Sequence, residues 1–265
     1  MTSPPLTRQI LLSVITPVFN GIETIQRCLD NVREHAGESY EHILVDGGST
    51  DGTLEVIRAA MGHDPRIRLL TGPDRGQSHA LNKGLAEAAG AVIGVLNVDD
   101  EYLAAGPCQA VAALSRAPEP SFYWGACEID DARHGRSIQQ PWQLEAWRLL
   151  AGWSVGQHPV NPSSYFYHRS LHAAAGGFRE DDHFAMDLEF IVRATPYLQS
   201  VICSSQVIGR FHLTPSTKTY SFMQRQDKAA YEHRLLDPLR RRLSAWQRLK
   251  SAAARRYPRL GRRLP

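Results

Sequence analysis

Cysteine is scarce in this chain of 265 residues: Cys28, Cys108, Cys127 and Cys203 stand far apart, with no C-x-x-C pair. That spacing argues against a disulfide framework or a zinc site and predicts a reducing, cytoplasmic setting. Long apolar runs are missing too. No window approaches the roughly 18 apolar residues that a membrane span needs. The stretch Met1 to Gln9 carries one positive side chain, and the run that follows it, Ile10-Leu11-Leu12, is too short for a signal peptide. Neither a cleavable signal nor a transmembrane helix is expected. Internal repeats and low-complexity linkers are absent. A G-x-G-x-x-G fingerprint follows none of the predicted strands, which disfavours a dinucleotide site. Residues 238–265 hold ten of the 30 Lys and Arg and none of the 27 Asp and Glu, so a net acidic body carries a strongly basic tail.

What the chain does have is enough apolar content, 43%, to bury one large core without staples. Short β-rich runs alternate with amphipathic stretches. Strands are expected at Leu11–Thr16, His42–Val45, Arg66–Leu70 and Val92–Leu96, and helices at Ile22–His35, Thr53–Met61 and Ser78–Ala89. This repetition predicts an α/β fold with a mostly parallel sheet flanked by helices. After Pro118 the pattern changes. A Trp-rich stretch (Trp142, Trp147, Trp153) precedes a helix at Met186–Ala194 and one or two strands across Val201–Phe211. From Ser221 the chain reads as helical, with stops near Pro238 and Pro258.

Each early strand ends in turn chemistry: Pro17-Val18-Phe19-Asn20-Gly21, Asp46-Gly47-Gly48-Ser49-Thr50-Asp51-Gly52, and Gly72-Pro73-Asp74-Arg75-Gly76. The fourth runs from Leu96-Asn97-Val98 into Asp99-Asp100. Ligands of open α/β sheets bind outside the carboxyl ends of strands, so these loops should meet at one crevice. Adjacent carboxylates repel, and holding a divalent cation such as Mn²⁺ or Mg²⁺ is a favoured use of such a pair. Helix capping accounts for one of the two. Asp46 either accepts hydrogen bonds from a base or ribose or caps the next helix. Arg75 and Lys83 either meet a diphosphate or sit in solvent. Asp187, read alone, is a helix cap, and His212, read alone, a satisfied core histidine.

Val14-Ile15-Thr16-Pro17-Val18-Phe19-Asn20, Val45-Asp46-Gly47-Gly48-Ser49-Thr50-Asp51-Gly52-Thr53, Asp74-Arg75-Gly76 with Asn82-Lys83-Gly84, and Leu96-Asn97-Val98-Asp99-Asp100 together resemble family 2 glycosyltransferases of the GT-A fold. The resemblance covers about residues 11–212. It implies a GT-A domain over 1–237, with a nucleotide-sugar half near 11–117 and an acceptor half near 118–220. Pro17, Asp46 and Arg75 would surround the nucleoside, with Lys83 and Asp100 near the donor. Asp99 would be the chief metal ligand, assisted by His212. Asn97 stands where many relatives have the first aspartate of the metal motif, and His79 where close relatives often have Asp. Asn161-Pro162-Ser163-Ser164-Tyr165-Phe166 through Met186-Asp187 looks like the acceptor half, in which Asp187 would be the catalytic base.

The implied activity is inverting transfer of a sugar from a nucleotide-diphosphate sugar to a glycan or lipid-linked acceptor, in surface polysaccharide biosynthesis. A non-catalytic nucleotide-sugar or glycan-binding module of the same fold is the alternative. A nucleotidyltransferase is disfavoured because its Gly-rich N-terminal loop with a basic residue is missing. In the tail, Leu239, Leu243, Trp246, Leu249, Ala253, Tyr257, Leu260 and Leu264 recur at helical spacing among arginines. This basic amphipathic pattern either meets an anionic membrane surface, making the protein peripheral there, or packs on the domain. Nucleic acid is a weaker partner, for want of a recognised binding fold.

Overall fold

The computed structural model describes residues 9–152, 158–181, 184–224 and 226–256. Trp153 of the Trp-rich stretch, and Tyr257, Pro258, Leu260 and Leu264 of the tail, lie outside the described residues. The first half alternates as its apolar pattern requires. Strand β1 (Leu12–Val18) leads to α1 (Ile25–His35), β2 (Tyr40–Asp46), α2 (Thr53–Met61), β3 (Ile67–Thr71), α3 (Gln77–Glu87) and β4 (Val92–Val95). Next come β5 (Glu101–Tyr102), α4 (Gly106–Leu114), β6 (Ser121–Asp131), β7 (Gly135–Gln139) and α5 (Ala146–Leu149). The remainder is β8 (Tyr165–His168), α6 (Ser170–Ala175), α7 (Met186–Ala194), β9 (Ser200–Leu213), α8 (Lys218–Met223), α9 (Lys228–Arg240) and α10 (Ala245–Arg256). Among the described residues no helix is long and apolar enough to cross a membrane.

The described strands form one sheet in the order β3-β2-β1-β4-β8-β6-β9-β5, with β7 paired to β6. The first four are mutually parallel. Beyond β4 the sheet is mixed: β8 runs antiparallel to β4 and β6, whereas β9 runs parallel to β6. The chain builds outward from β1 to β3 and then returns to lay β4 on the other side of β1. That reversal is a topological switch point, where the flanking loops part and leave a crevice.

Strand alternation sends neighbouring residues into different cores. Ile15, Phe122, Trp124, Tyr165 and Tyr167 pack with α3 and α7, while Val14, Tyr123 and Phe166 pack with α1 and α4. Helix α3 lies close to the sheet because Gly84 has no side chain. A Cβ there would come 2.5 Å from Ile15 Cγ2. The tail joins the first core through Leu239, Leu243 and Ala254, beside Leu236. Pro238 lies within the last turn of α9, which runs on to Arg240 at the cost of the one bond that a Pro238 N–H would have given.

Among the titratable groups of this sheet, His42 on β2 is 1% exposed, with Nε2 2.9 Å from Thr16 Oγ1. Burial pushes its pKa down to about 3. An unfolded imidazole takes up its proton near 6.5, so stability from this group is complete above that pH and is lost as pH falls toward 3. His42→Gln should lose less stability than wild type on acidification, by about 3 kcal/mol between pH 6.5 and 4. Urea unfolding of both proteins across that range is the check, and parallel curves would refute the assignment. Taking the difference cancels groups such as Asp100, whose raised pKa works in the opposite direction.

Candidate active site

The loops after β1 and β2 are stitched together by short polar side chains. Asn20 N–H donates to Ser49 Oγ at 2.8 Å, Gly21 N–H to Thr53 Oγ1 at 2.9 Å, and Ile22 N–H to Asp51 Oδ2 at 3.0 Å. In return Asn20 Oδ1 accepts from Thr50 N–H. Gly48 and Gly52 take the left-handed φ of +100° that this tight course demands. Asp46 anchors the turn from within: it is fully buried and accepts from Gly48 N–H, Ser49 N–H and the Ser49 hydroxyl.

Beyond the carboxyl ends of β1 and β4 these loops border a cavity of about 490 Å³. Pro17 and Phe19 wall one side, Asn97, Asp99 and Asp100 form its base, and Asp187 and Lys218 face it from the second half of the chain. A larger hollow of about 870 Å³ opens at the opposite ends of the strands, around Arg33, His63 and Arg66, away from the switch point.

The base of the cavity is a hydrogen-bonded chain. Lys218 Nζ donates to Gln77 Oε1 (2.9 Å), Gln77 Nε2 to Asn97 Oδ1 (2.9 Å), and Asn97 Nδ2 to Asp100 Oδ2 (2.9 Å). Asp100 also accepts from Asn161 Nδ2 at 2.7 Å and from the backbone N–H of His212 at 3.1 Å. Burial, and secondarily the negative charge of Asp99, raise its carboxyl above the ordinary range. Asp100 is thus a buried joint between β4, β9 and the Asn161 loop. Asn97 suits that joint because an amide donates to a carboxylate, which a second aspartate could not do when ionised. Asn161→Ala would leave the joint one donor short. We expect a stability loss of about 1–3 kcal/mol, read by thermal or urea unfolding; an unchanged midpoint would rule out this role.

Asp99 is only partly buried and its side chain borders the cavity. Burial raises its pKa, opposed by a hydrogen bond from its own backbone N–H and by the charges of Arg27 and Lys218. Arg27 Nη2 also holds the Asp99 carbonyl at 2.8 Å. The ring of His212 is turned toward Glu101 Oε1, 3.2 Å from Nε2, and Asp130 Oδ2, 3.8 Å from Nδ1. Its Nε2 is buried and not aligned for a hydrogen bond. Among the described residues no three His, Cys, Asp or Glu side chains form a ready metal cage. Divalent cations at phosphate sites use one or two carboxylates and complete their shell with phosphate oxygens and water. Asp99, partly exposed at the cavity, fits that arrangement, whereas the His212 ring is turned to Glu101 and Asp130.

Asp187 sits in the first turn of α7, where the helix dipole favours its anion, and its Oδ1 accepts from Leu188 N–H at 2.7 Å. The phenol of Tyr165 is pushed well above its usual pKa by burial, to which the charge of Asp187 adds. Pro17, Asp99, Asp100 and Asp187 therefore meet at one cavity. The other predicted residues do not line it. Asp46 lies behind its turn, and Lys83 Nζ ties the third loop by donating to the Gly72 and Pro73 carbonyls. Arg75 is at the rim, paired with Glu180 at 2.5 Å. Asn82 clamps the same rim through two bonds to the backbone of Phe178.

Sequence reasoning missed Gln77, Asn161 and Lys218. Burial lowers the pKa of Lys218, against the charges of Asp74 and Asp99, and its side chain borders the cavity. Asn161 carried a readable sign, since Asn before Pro-Ser-Ser is a cap signal; its Oδ1 accepts from Ser163 N–H. Gln77 and Lys218 carried none.

Residues 13–168 match the sequence profile described as glycosyl transferase family 2. An uncharacterized glycosyltransferase of Mycobacterium tuberculosis is 34% identical over 219 residues, covering 79% of this chain and 78% of its own. In structure, residues 1–349 of S. aureus TarS in complex with UDP-GlcNAc superpose with a TM-score of 0.72 at 17% identity, covering 94% of this chain and 72% of that one. The mannosyltransferase PcManGT from Pyrobaculum calidifontis, in complex with GDP-Man and Mn²⁺, gives 0.61 at 20% identity, covering 98% and 76%. These likenesses show a GT-A type fold. By its profile match across more than half its length, the chain belongs to glycosyl transferase family 2.

Proposed function

We propose that this protein is an inverting, metal-assisted glycosyltransferase that moves a sugar from a nucleoside-diphosphate sugar to a hydroxyl of a glycan or lipid-linked acceptor. The observation that carries the reading is one cavity at the switch point with Asp99 at its base and Asp187 facing it from the other half of the chain. The structural neighbours hold UDP-GlcNAc and GDP-Man with Mn²⁺, which supports a nucleotide sugar and a divalent cation here.

In this reading the nucleoside lies against Pro17 and Phe19, on loops shaped by Asp46 and Lys83. Arg75 is within reach at the rim, because an ion pair held in solvent contributes little and is readily exchanged for phosphate. The acceptor oxygen attacks the anomeric carbon as the bond from that carbon to the diphosphate oxygen breaks. Asp187 takes the hydroxyl proton, so the nucleophile gains electron density as the leaving group departs. Lys218 faces the negative charge that grows on the diphosphate. A divalent cation, held by Asp99 with His212, would neutralise the rest. Buried Asp100 holds the β4 loop on which Asp99 is displayed. The place of such a reaction is the assembly of surface polysaccharide.

A panel of nucleotide sugars, scored with Mn²⁺ for thermal stabilisation and for release of nucleoside diphosphate, tests the reading. One donor should stabilise the protein and turn over. Binding without turnover across a panel of glycan acceptors would support the non-catalytic alternative, and no stabilisation by any donor would overturn both.

A further inference from the structure

The tail is divided by the fold. Leu239 and Leu243 are 7% exposed and Ala254 is fully buried, so this part of the apolar pattern belongs to the core. Trp246 and Leu249 are 67% and 63% exposed. A period of 3.6 residues places them in one row with Ala253, which is also exposed, on the side of α10 opposite Ser251 and Ala254. Arg241 and Arg242 are exposed on the turn before the helix, and the same period sets exposed Arg256 beside the row, whereas Arg248 and Arg255 lie farther round α10. Arg240 is different: it is buried and consumed by Glu232, Asp237 and the Leu150 carbonyl.

We propose that α10 and the turn before it form a docking surface for an anionic phospholipid bilayer, with Trp246 and Leu249 inserted at the interface and the exposed arginines on the headgroups. The charge selects the occupant. A second copy of this chain would set the arginines beside this row against one another, whereas anionic headgroups neutralise them. Indole favours the interfacial zone because its ring is apolar and its N–H remains wet. The helix is also anchored to the domain. Ser251 Oγ donates to the Leu150 carbonyl at 3.2 Å, and α10 packs on α5, which touches α7, the helix opened by Asp187. Docking would therefore hold the cavity in a set orientation to the bilayer. Only this last link, to a membrane-held acceptor, rests on the proposed transfer.

Flotation of the full chain with phosphatidylglycerol–phosphatidylcholine vesicles, and with phosphatidylcholine alone, tests the surface without donor or turnover. Wild type should float with the anionic vesicles only, and less at high salt. Trp246→Ala/Leu249→Ala should reduce the bound fraction at least ~10-fold, because two apolar anchors are lost. Arg241→Gln/Arg242→Gln should weaken binding and flatten its salt dependence. Unfolding midpoints report that the variants keep the fold. Failure of wild type to float, or undiminished flotation of the Trp246/Leu249 variant, would overturn the proposal. So would a wild-type dimer that this variant converts to monomers without any vesicle binding.

Discussion

Asp187→Asn is expected to lower turnover by about 10²–10⁴-fold while nucleoside-diphosphate binding stays at the wild-type level. The size follows from removing a positioned base, equivalent to about 3–5 kcal/mol of barrier. The selectivity follows from the structure. An Asn side chain keeps an Oδ1 to accept the Leu188 N–H bond, so the first turn of α7 retains its local geometry. Asp187 belongs to the second half of the chain, across the cavity from the β1 and β4 loops on which the donor is proposed to lie. The distinguishing result is a fall in kcat with donor KM nearly unchanged. Turnover within a few-fold of wild type would remove Asp187 as the base.

The chain order of α/β units was legible because each strand and helix of the first half carries its own period and its own turn residues. Thr53–Met61 and Met186–Ala194 are helices over the expected bounds. The second half was less readable. β5 is two residues long and is held by tertiary bonds, with Arg210 joining Glu101 at 2.7 Å across 109 positions. No local pattern announces such a strand. The same limit applies to the cavity base. Asp99 and Asp187 could be picked from their motifs, but the joint at Asp100 depends on Asn161, 61 residues away, and the cation facing Asp99 on Lys218, bonded 141 residues away to Gln77. In the tail, Leu243 and Trp246 share one apolar pattern. Which side turns inward was decided by where α5 and α7 leave room, a fact external to the helix. Asp46 shows the converse: the same carboxylate satisfies a turn-capping pattern and a ligand-binding motif, and here its oxygens face the turn.

Asp99→Ala should abolish the gain in nucleoside-diphosphate affinity that Mn²⁺ gives to the wild type. Partners that merely orient metal ligands cost about 10–100-fold in affinity when removed, so a direct ligand should cost at least that. Calorimetry of both proteins with and without Mn²⁺ gives four values. Three should agree, held at a common level by Lys218 and the loop donors, and only wild type with Mn²⁺ should be tighter. Equal values in all four would remove the metal assignment from Asp99. A second readout separates this from collapse of the site. Asp99 supplies negative charge that, with burial, raises the Asp100 carboxyl, and its own burial is partial. Deleting Asp99 relieves repulsion without taking a donor from the Asp100 joint, so stability should be unchanged or slightly higher at neutral pH. Asn161→Ala, which starves the same joint, should move it the other way. Opposite signs of stability change at two positions around one carboxylate would distinguish the group proposed to hold the cation from those that hold the loop.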